Sequence, residues 1–108
     1  YTSWTARPQT IIRPCGLDPN FTSVRPTPRD PSYTSGNATC GGAAGEILAF
    51  FFPQDAEALR ADAAGGGISR LYDGTHWSFD VEAGLEVGRR MALQFIKRAR
   101  RDGAHPAR

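Results

Sequence analysis

The apolar positions fall into helical runs separated by a long stretch that cannot be helical. Over residues 76–101, Val81, Leu85, Gly88, Ala92, Phe95 and Ala99 recur at three- and four-residue steps, the period of one helix face. Glu82, Glu86, Arg90, Lys97 and Arg101 point the other way. The pattern predicts a helix from about His76 to Arg101. Within it Gly84, Gly88 and Ala92 repeat every four residues and leave room for a close neighbour. A second helix is predicted from about Asn37 to Phe52, with Ser35 as N-cap and Pro53 as stop. Gly41, Gly42, Ala44 and Gly45 make one part of it small, and Ile47, Leu48, Phe50, Phe51 and Phe52 make its end bulky. A helical glycine costs about 1 kcal/mol relative to alanine, so several together point to close helix packing. A short helix, roughly Asp55 to Ala64, is expected to end at Gly65-Gly66-Gly67. Residues 13–34 carry Pro14, Pro19, Pro26, Pro28 and Pro31. Proline removes backbone donors and biases the preceding residue away from helix, so this stretch reads as a long ordered loop, a kind that is usually functional. Residues 1–12 suit the end of a helix or a short helical turn. Residues 102–108, with His105, are expected to form a flexible tail.

At 108 residues the chain is a single small domain at most. Its formal charge of +2 excludes little, but Arg89, Arg90, Lys97, Arg98, Arg100 and Arg101 crowd one end. No aromatic residues interleave with them and no nucleic-acid motif surrounds them, so they read as a solvated helix face. Cys15 and Cys40 form no Cys-x-x-Cys pair, which argues against zinc. One disulfide or two buried thiols remain open, with the thiols preferred. The longest apolar stretch, Ile47 to Phe52, falls far short of the ~20 residues a membrane span needs. No signal-peptide pattern opens the chain. Tyr1 stands where a methionine would begin a complete chain, and we read the chain as part of a longer protein. It is expected to be soluble, with secretion left open.

Three clusters carry candidate chemistry: Arg7-Pro8, Ser35-Gly36-Asn37, and Ser69-Arg70 followed by His76 and Asp80. A Ser-Gly step at a helix start presents a hydroxyl and free N–H groups to an anion. His76 and Asp80 are four apart and would share a helix face. Asp80 could then accept from one imidazole nitrogen and leave the other free as nucleophile or ligand. Arg70 offers a planar fork for oxyanion oxygens. Each cluster has an ordinary structural reading too: a plain N-cap, a surface His–Asp pair, an unrelated arginine.

Together the clusters resemble the vanadium-dependent haloperoxidases and the type 2 phosphatidic acid phosphatases. The motifs of that superfamily are Lys-x6-Arg-Pro, Pro-Ser-Gly-His and Ser-Arg-x5-His-x3-Asp. The third is complete here in Ser69, Arg70, His76 and Asp80. The resemblance runs from Trp4 to about Ala92. Trp77 after His76, Phe79 before Asp80 and Trp4 before Arg7-Pro8 look like the haloperoxidase branch. The resemblance implies an all-α helical bundle fragment of the vanadium chloroperoxidase and acid phosphatase type, with the Pro-rich loop, forming one partial catalytic domain over residues 1–108. It implies that His76 binds vanadate, or attacks phosphorus in the phosphatase relatives. Asp80 would orient and charge-stabilise His76. Arg7 and Arg70 would neutralise the oxyanion, and Ser35 and the Gly36 N–H would hydrogen-bond it. Vanadium acting as a Lewis acid would polarise hydrogen peroxide for attack by a halide, giving hypohalous acid with no change in oxidation state.

Two departures bear on activity. Asn37 stands where the family has its acid–base histidine, and an amide does not titrate. General acid–base help is typically worth 10²–10⁴-fold, so its loss predicts a slow enzyme, an altered reaction or an anion-binding remnant. Thr34 also replaces the family proline. The family lysine would fall immediately before Tyr1, outside the chain; upstream helices or a second copy would then supply further walls. Asn20-Phe21-Thr22 and Asn37-Ala38-Thr39 are glycosylation sequons, and a glycan on Asn37 would exclude catalysis there. The readings carried forward are a haloperoxidase, a phosphate-ester hydrolase and an inactive remnant. No nucleic acid and no membrane span are expected.

Overall fold

The computed structural model describes residues 4–107. The first three residues of the predicted N-terminal turn and Arg108 of the tail lie outside the described residues. The chain is all-helical: α1 (Pro8–Ile12), α2 (Gly36–Phe51), a 3-10 turn (Pro53–Asp55), α3 (Ala56–Tyr72) and α4 (Ser78–Arg101). Pro8 opens α1, where a missing N–H leaves no intrahelical bond unmade. Ser35 caps α2, its Oγ accepting from Ala38 N at 3.4 Å. Phe52 and Pro53 end that helix as the sequence predicts.

Small residues set the packing. A Cβ on Gly42 would lie 2.6 Å from the Leu85 carbonyl oxygen, and one on Gly84 would lie 2.6 Å from that of Ser35. On Gly88 it would run into the Thr39 carbonyl. These pairings make α2 and α4 parallel, with their N-termini side by side. Helix α3 returns antiparallel between their ends: Gly45 faces Leu59 and Ala63, and Gly67 faces Val81 and Leu85. Two positive helix-dipole ends therefore meet at one end of the bundle. The loops before α2 and α4 arrive there as well, joined by a hydrogen bond from Ser35 N to Asp80 O of 3.0 Å.

Three expectations are corrected. The triple glycine does not end α3. Gly65, Gly66 and Gly67 lie inside it, because Gly67 is buried under Val81 and Leu85 where a larger residue would hold α3 off α4. The buried face of α4 is Asp80, Val81, Gly84, Gly88, Ala92 and Ile96, whereas Phe95 is 53% exposed. Close contact with α2 requires small side chains, and the period shifts by one residue toward Ile96. Cys15 and Cys40 are free but exposed, not buried. The tail folds back, with Ala107 N donating to Phe51 O at 2.7 Å. Among the described residues no helix is long and apolar enough to cross a membrane.

Packing this tight predicts opposite outcomes for two glycine-to-alanine changes. Gly88→Ala meets immovable backbone of Thr39 and Ala43 and should destabilise by about 1–3 kcal/mol. Gly65→Ala has nothing within 4 Å to meet and should stabilise by up to ~1 kcal/mol through helix propensity. Urea denaturation of both variants checks the pair.

Candidate active site

The site forms where α3 hands over to α4. Gly74 takes a positive φ of 73°, and a Cβ there would meet the Phe21 ring at 2.9 Å. The turn it permits sends Thr75, His76 and Trp77 back toward the bundle. Trp77 is the N-cap of α4, so His76 lies before the helix and not on it. The expected shared helix face of His76 and Asp80 is thereby corrected. Asp80, at the third position of α4, reaches back instead. Its Oδ2 accepts from Trp77 N at 2.9 Å and from Ser32 Oγ at 2.5 Å, and lies 3.5 Å from His76 Nδ1. Asp80 has no solvent exposure, and its Oδ1 has no hydrogen-bond partner among the described residues.

Arg7 Nη1 lies within reach of both ring nitrogens, 2.9 Å from His76 Nε2 and 3.4 Å from Nδ1. A guanidinium can only donate, so the nearer nitrogen, Nε2, is the better acceptor, and the contact favours the tautomer with its proton on Nδ1, the nitrogen nearest Asp80. The buried ring titrates below the usual histidine value. Burial is the largest cause and the Arg7 charge the next; Asp80 and the Ser32 carbonyl act in the opposite direction. The result is a neutral imidazole with a lone pair on Nε2. Arg7 is itself buried and donates to Thr75 O at 3.0 Å, Asp30 O at 3.1 Å, Asp30 Oδ2 at 3.2 Å and Pro31 O at 3.3 Å. Trp77 Nε1 donates to Ala6 O at 2.9 Å and pins the Arg7 segment beside His76.

Asn37, Arg70 and His76 line one cavity of about 270 Å³, whose edge is formed by Pro26 and Pro28. Arg70 comes from the last turn of α3. Its Nε and Nη2 donate to Ser69 Oγ at 3.1 and 2.9 Å, and its Nη1 lies 3.4 Å from Asp73 Oδ2. Arg25 of the Pro-rich loop donates to the same Asp73 oxygen from Nε at 2.8 Å and also lines the cavity. Two guanidiniums share one buried carboxylate, which leaves a net positive charge at the cavity wall.

Other predicted residues lie elsewhere. Arg7 touches His76 but lines a neighbouring hollow with Asp30. Ser35 is fully buried and turned into its own helix, away from the cavity. Gly36 is exposed at the first position of α2, beside Asn37, where a helix N–H has no intrahelical partner. Arg25, Asp30, Ser32 and Asp73 were not singled out from the sequence. The one signal for the first three was the length of the Pro-rich loop. For Asp73 it was the three-residue spacing from Arg70. A neutral imidazole, an arginine with excess positive charge, an amide and free helix N–H groups fit a compact oxyanion such as vanadate or phosphate.

Comparison with known proteins identifies the family and the fold. The model of the PAP2 superfamily matches residues 1–102. The structure superposes on that described as the first bacterial vanadium-dependent iodoperoxidase with a TM-score of 0.71 and 27% sequence identity. The match covers 84% of this chain and 26% of that one, so the chain spans about a quarter of the length of this relative. No curated protein sequence matches the chain. The family match over nearly all residues, on a helical fold in which Arg70 and His76 of the Ser69-Arg70, His76 and Asp80 motif line one cavity, establishes that this chain belongs to the PAP2 superfamily.

Proposed function

We propose that the chain is the oxyanion-binding, catalytic segment of a vanadium-dependent haloperoxidase, which oxidises a halide with hydrogen peroxide. The observation that carries this reading is the placement of His76, whose Nδ1 lies on the Asp80 side and whose Nε2, 2.9 Å from Arg7 Nη1, belongs to a ring at the wall of a cationic cavity. What favours a haloperoxidase over a phosphatase is the likeness to the iodoperoxidase, together with Trp77, whose indole ties the Arg7 segment to the histidine.

In this reading His76 would be the residue that holds vanadate. Arg70, Asn37 and the Gly36 N–H would bind the anion with it, and Arg7 would add its charge at the ring. Bound vanadate would supply Lewis acidity toward peroxide. Halide oxidation by peroxide consumes one proton, and Asn37 has none to give. The proton would therefore come from solvent through the cavity mouth. Ser35, buried as the helix cap, supports the geometry and does not touch the anion.

A second reading is a phosphate-ester hydrolase in which the same Nε2 attacks phosphorus. It is favoured by the same cavity, because vanadate and a phosphoryl transition state share trigonal-bipyramidal geometry. Asn37 motivates the third reading, an anion-binding remnant without turnover.

The paired test assays iodide oxidation with vanadate and peroxide, and phosphate-ester hydrolysis without vanadate. Activity in the first arm alone supports the haloperoxidase; activity in the second alone selects the hydrolase. Silence in both with vanadate still bound selects the remnant. His76→Ala should weaken vanadate binding, measured by calorimetry, by at least about 100-fold, since even outer partners of a metal ligand are worth 10–100-fold. Unchanged binding would overturn the site.

Asn37→His restores a titrating group at the cavity and should raise turnover by about 10²–10⁴-fold in whichever arm is active. An unchanged rate would remove Asn37 from the chemistry.

The lowered pKa of His76 also predicts a direction for stability. Between its lowered value and the ordinary 6.5, the unfolded chain binds a proton that the folded chain refuses. This contribution is fully present above pH ~6.5 and is lost as pH falls through the lowered native value. Urea midpoints measured between pH 5 and 8 should fall on the acid side, and His76→Gln should flatten that part of the profile.

A further inference from the structure

We infer that the Ser32 hydroxyl is a positioning group for His76: it occupies Asp80 Oδ2 and withholds that oxygen from the imidazole. The inference rests on the reading of His76 as the residue that meets the oxyanion, and it adds a residue that lies in none of the three family motifs.

Ser32 is fully buried and comes from the Pro-rich loop. Its Oγ is 2.5 Å from Asp80 Oδ2 and 3.5 Å from His76 Nδ1. Trp77 N reaches the same Oδ2 at 2.9 Å. The imidazole, at 3.5 Å, is the most distant of the three donors and lies outside the 2.7–3.2 Å range of a formed N–H···O bond. Asp80 Oδ1 is buried and receives no donor among the described residues, so the competition among them falls on one oxygen. A carboxylate oxygen already neutralised by a short O–H bond and an amide N–H has less charge to offer the ring.

The loop fixes this arrangement. Ser32 N donates to Thr5 O at 2.8 Å, and the two residues before it, Asp30 and Pro31, supply carbonyls to Arg7. The same loop segment therefore holds a cation within reach of both ring nitrogens, nearer to Nε2, and a competing hydroxyl beside Nδ1. Both contacts limit the electron density on the ring. Arg7 favours the tautomer with the proton on the Asp80 side, and Ser32 restrains how strongly Asp80 activates the ring. Removing the hydroxyl should let the Nδ1 proton close on Oδ2.

The test reads the Nδ1 proton by NMR in the vanadate-free chain. The sequence has two histidines, His76 and His105, so His105→Gln leaves one imidazole to observe. In that background Ser32→Ala should move the Nδ1 proton resonance downfield, as a tightened Asp80 bond requires, and Ser32→Thr should return it toward the parent position. A general loss of packing would broaden the resonance or move it upfield. An unmoved or upfield resonance in folded Ser32→Ala overturns the proposal. If circular dichroism shows that Ser32→Ala does not fold, Ser32→Cys keeps the volume with a weaker donor. It should then give a smaller downfield shift, and no shift overturns the proposal equally. A parallel titration of His76→Ala with inorganic vanadate tests the oxyanion reading separately, so failure of one is distinguishable from failure of the other.

Discussion

A carboxylate with no solvent contact stands at the first turn of α4, and this end of the molecule is arranged to supply it with donors. Burying an unpaired carboxylate costs several kcal/mol, so Asp80 must find donors. It finds the amide of Trp77 and the hydroxyl of Ser32, with the ring of His76 behind them. The positive end of the α4 dipole adds to these. Its backbone carbonyl takes Ser35 N at the same time. One residue thus caps α4, ties in the start of α2, anchors the Pro-rich loop and backs the histidine. Loss of that charge would disturb four segments together, which is why fold and site cannot be separated here.

Helix packing brings those segments within reach. Ser35 can lie against Asp80 because Gly84 leaves its carbonyl room, and Gly88 does the same for Thr39 one turn further on. Parallel α2 and α4 then aim both N-termini at one end. There Asn37 and Gly36 come from one helix start, His76 precedes the other, and Arg70 arrives from the antiparallel α3. The same packing leaves Val87, Met91 and Phe95 exposed on the outer side of α4. The small residues of the bundle are therefore part of the site's construction.

How much of this was legible in the sequence depended on distance along the chain. The Ser35 cap, the Pro53 stop and the period of α4 are local, and each stood out. Asn37, Arg70, His76 and Asp80 stood out because their spacing is a motif. Ser32 and Arg25 did not: each meets its partner 48 residues away, and nothing in a run of prolines, serines and arginines says which side chain turns inward. Gly65-Gly66-Gly67 misled for a related reason. Alone it reads as a helix stop, and only the proximity of Val81 and Leu85 explains why α3 passes through it. The position of His76 relative to α4 was likewise hidden, because four-residue spacing fits both a shared helix face and a carboxylate reaching back to the cap.

Arg7 is the residue whose role changes most when geometry replaces spacing. The motif makes it a charge for oxyanion oxygens, yet its guanidinium is buried and bound to Asp30, Pro31 and Thr75. Only the Nη1 edge toward His76 Nε2 points at the reacting position. That contact keeps the lone pair on Nε2 and disfavours protonation of the ring. An anion arriving at Nε2 would meet the same Nη1 edge without requiring Arg7 to leave its other partners. Arg70 differs, since it shares Asp73 with Arg25 and is not locked by several carbonyls. The two motif arginines thus differ in placement: Arg7 is fixed against the histidine, and Arg70 shares its one carboxylate partner with Arg25, so under the proposed function Arg7 would prepare the histidine and Arg70 would meet the oxygens.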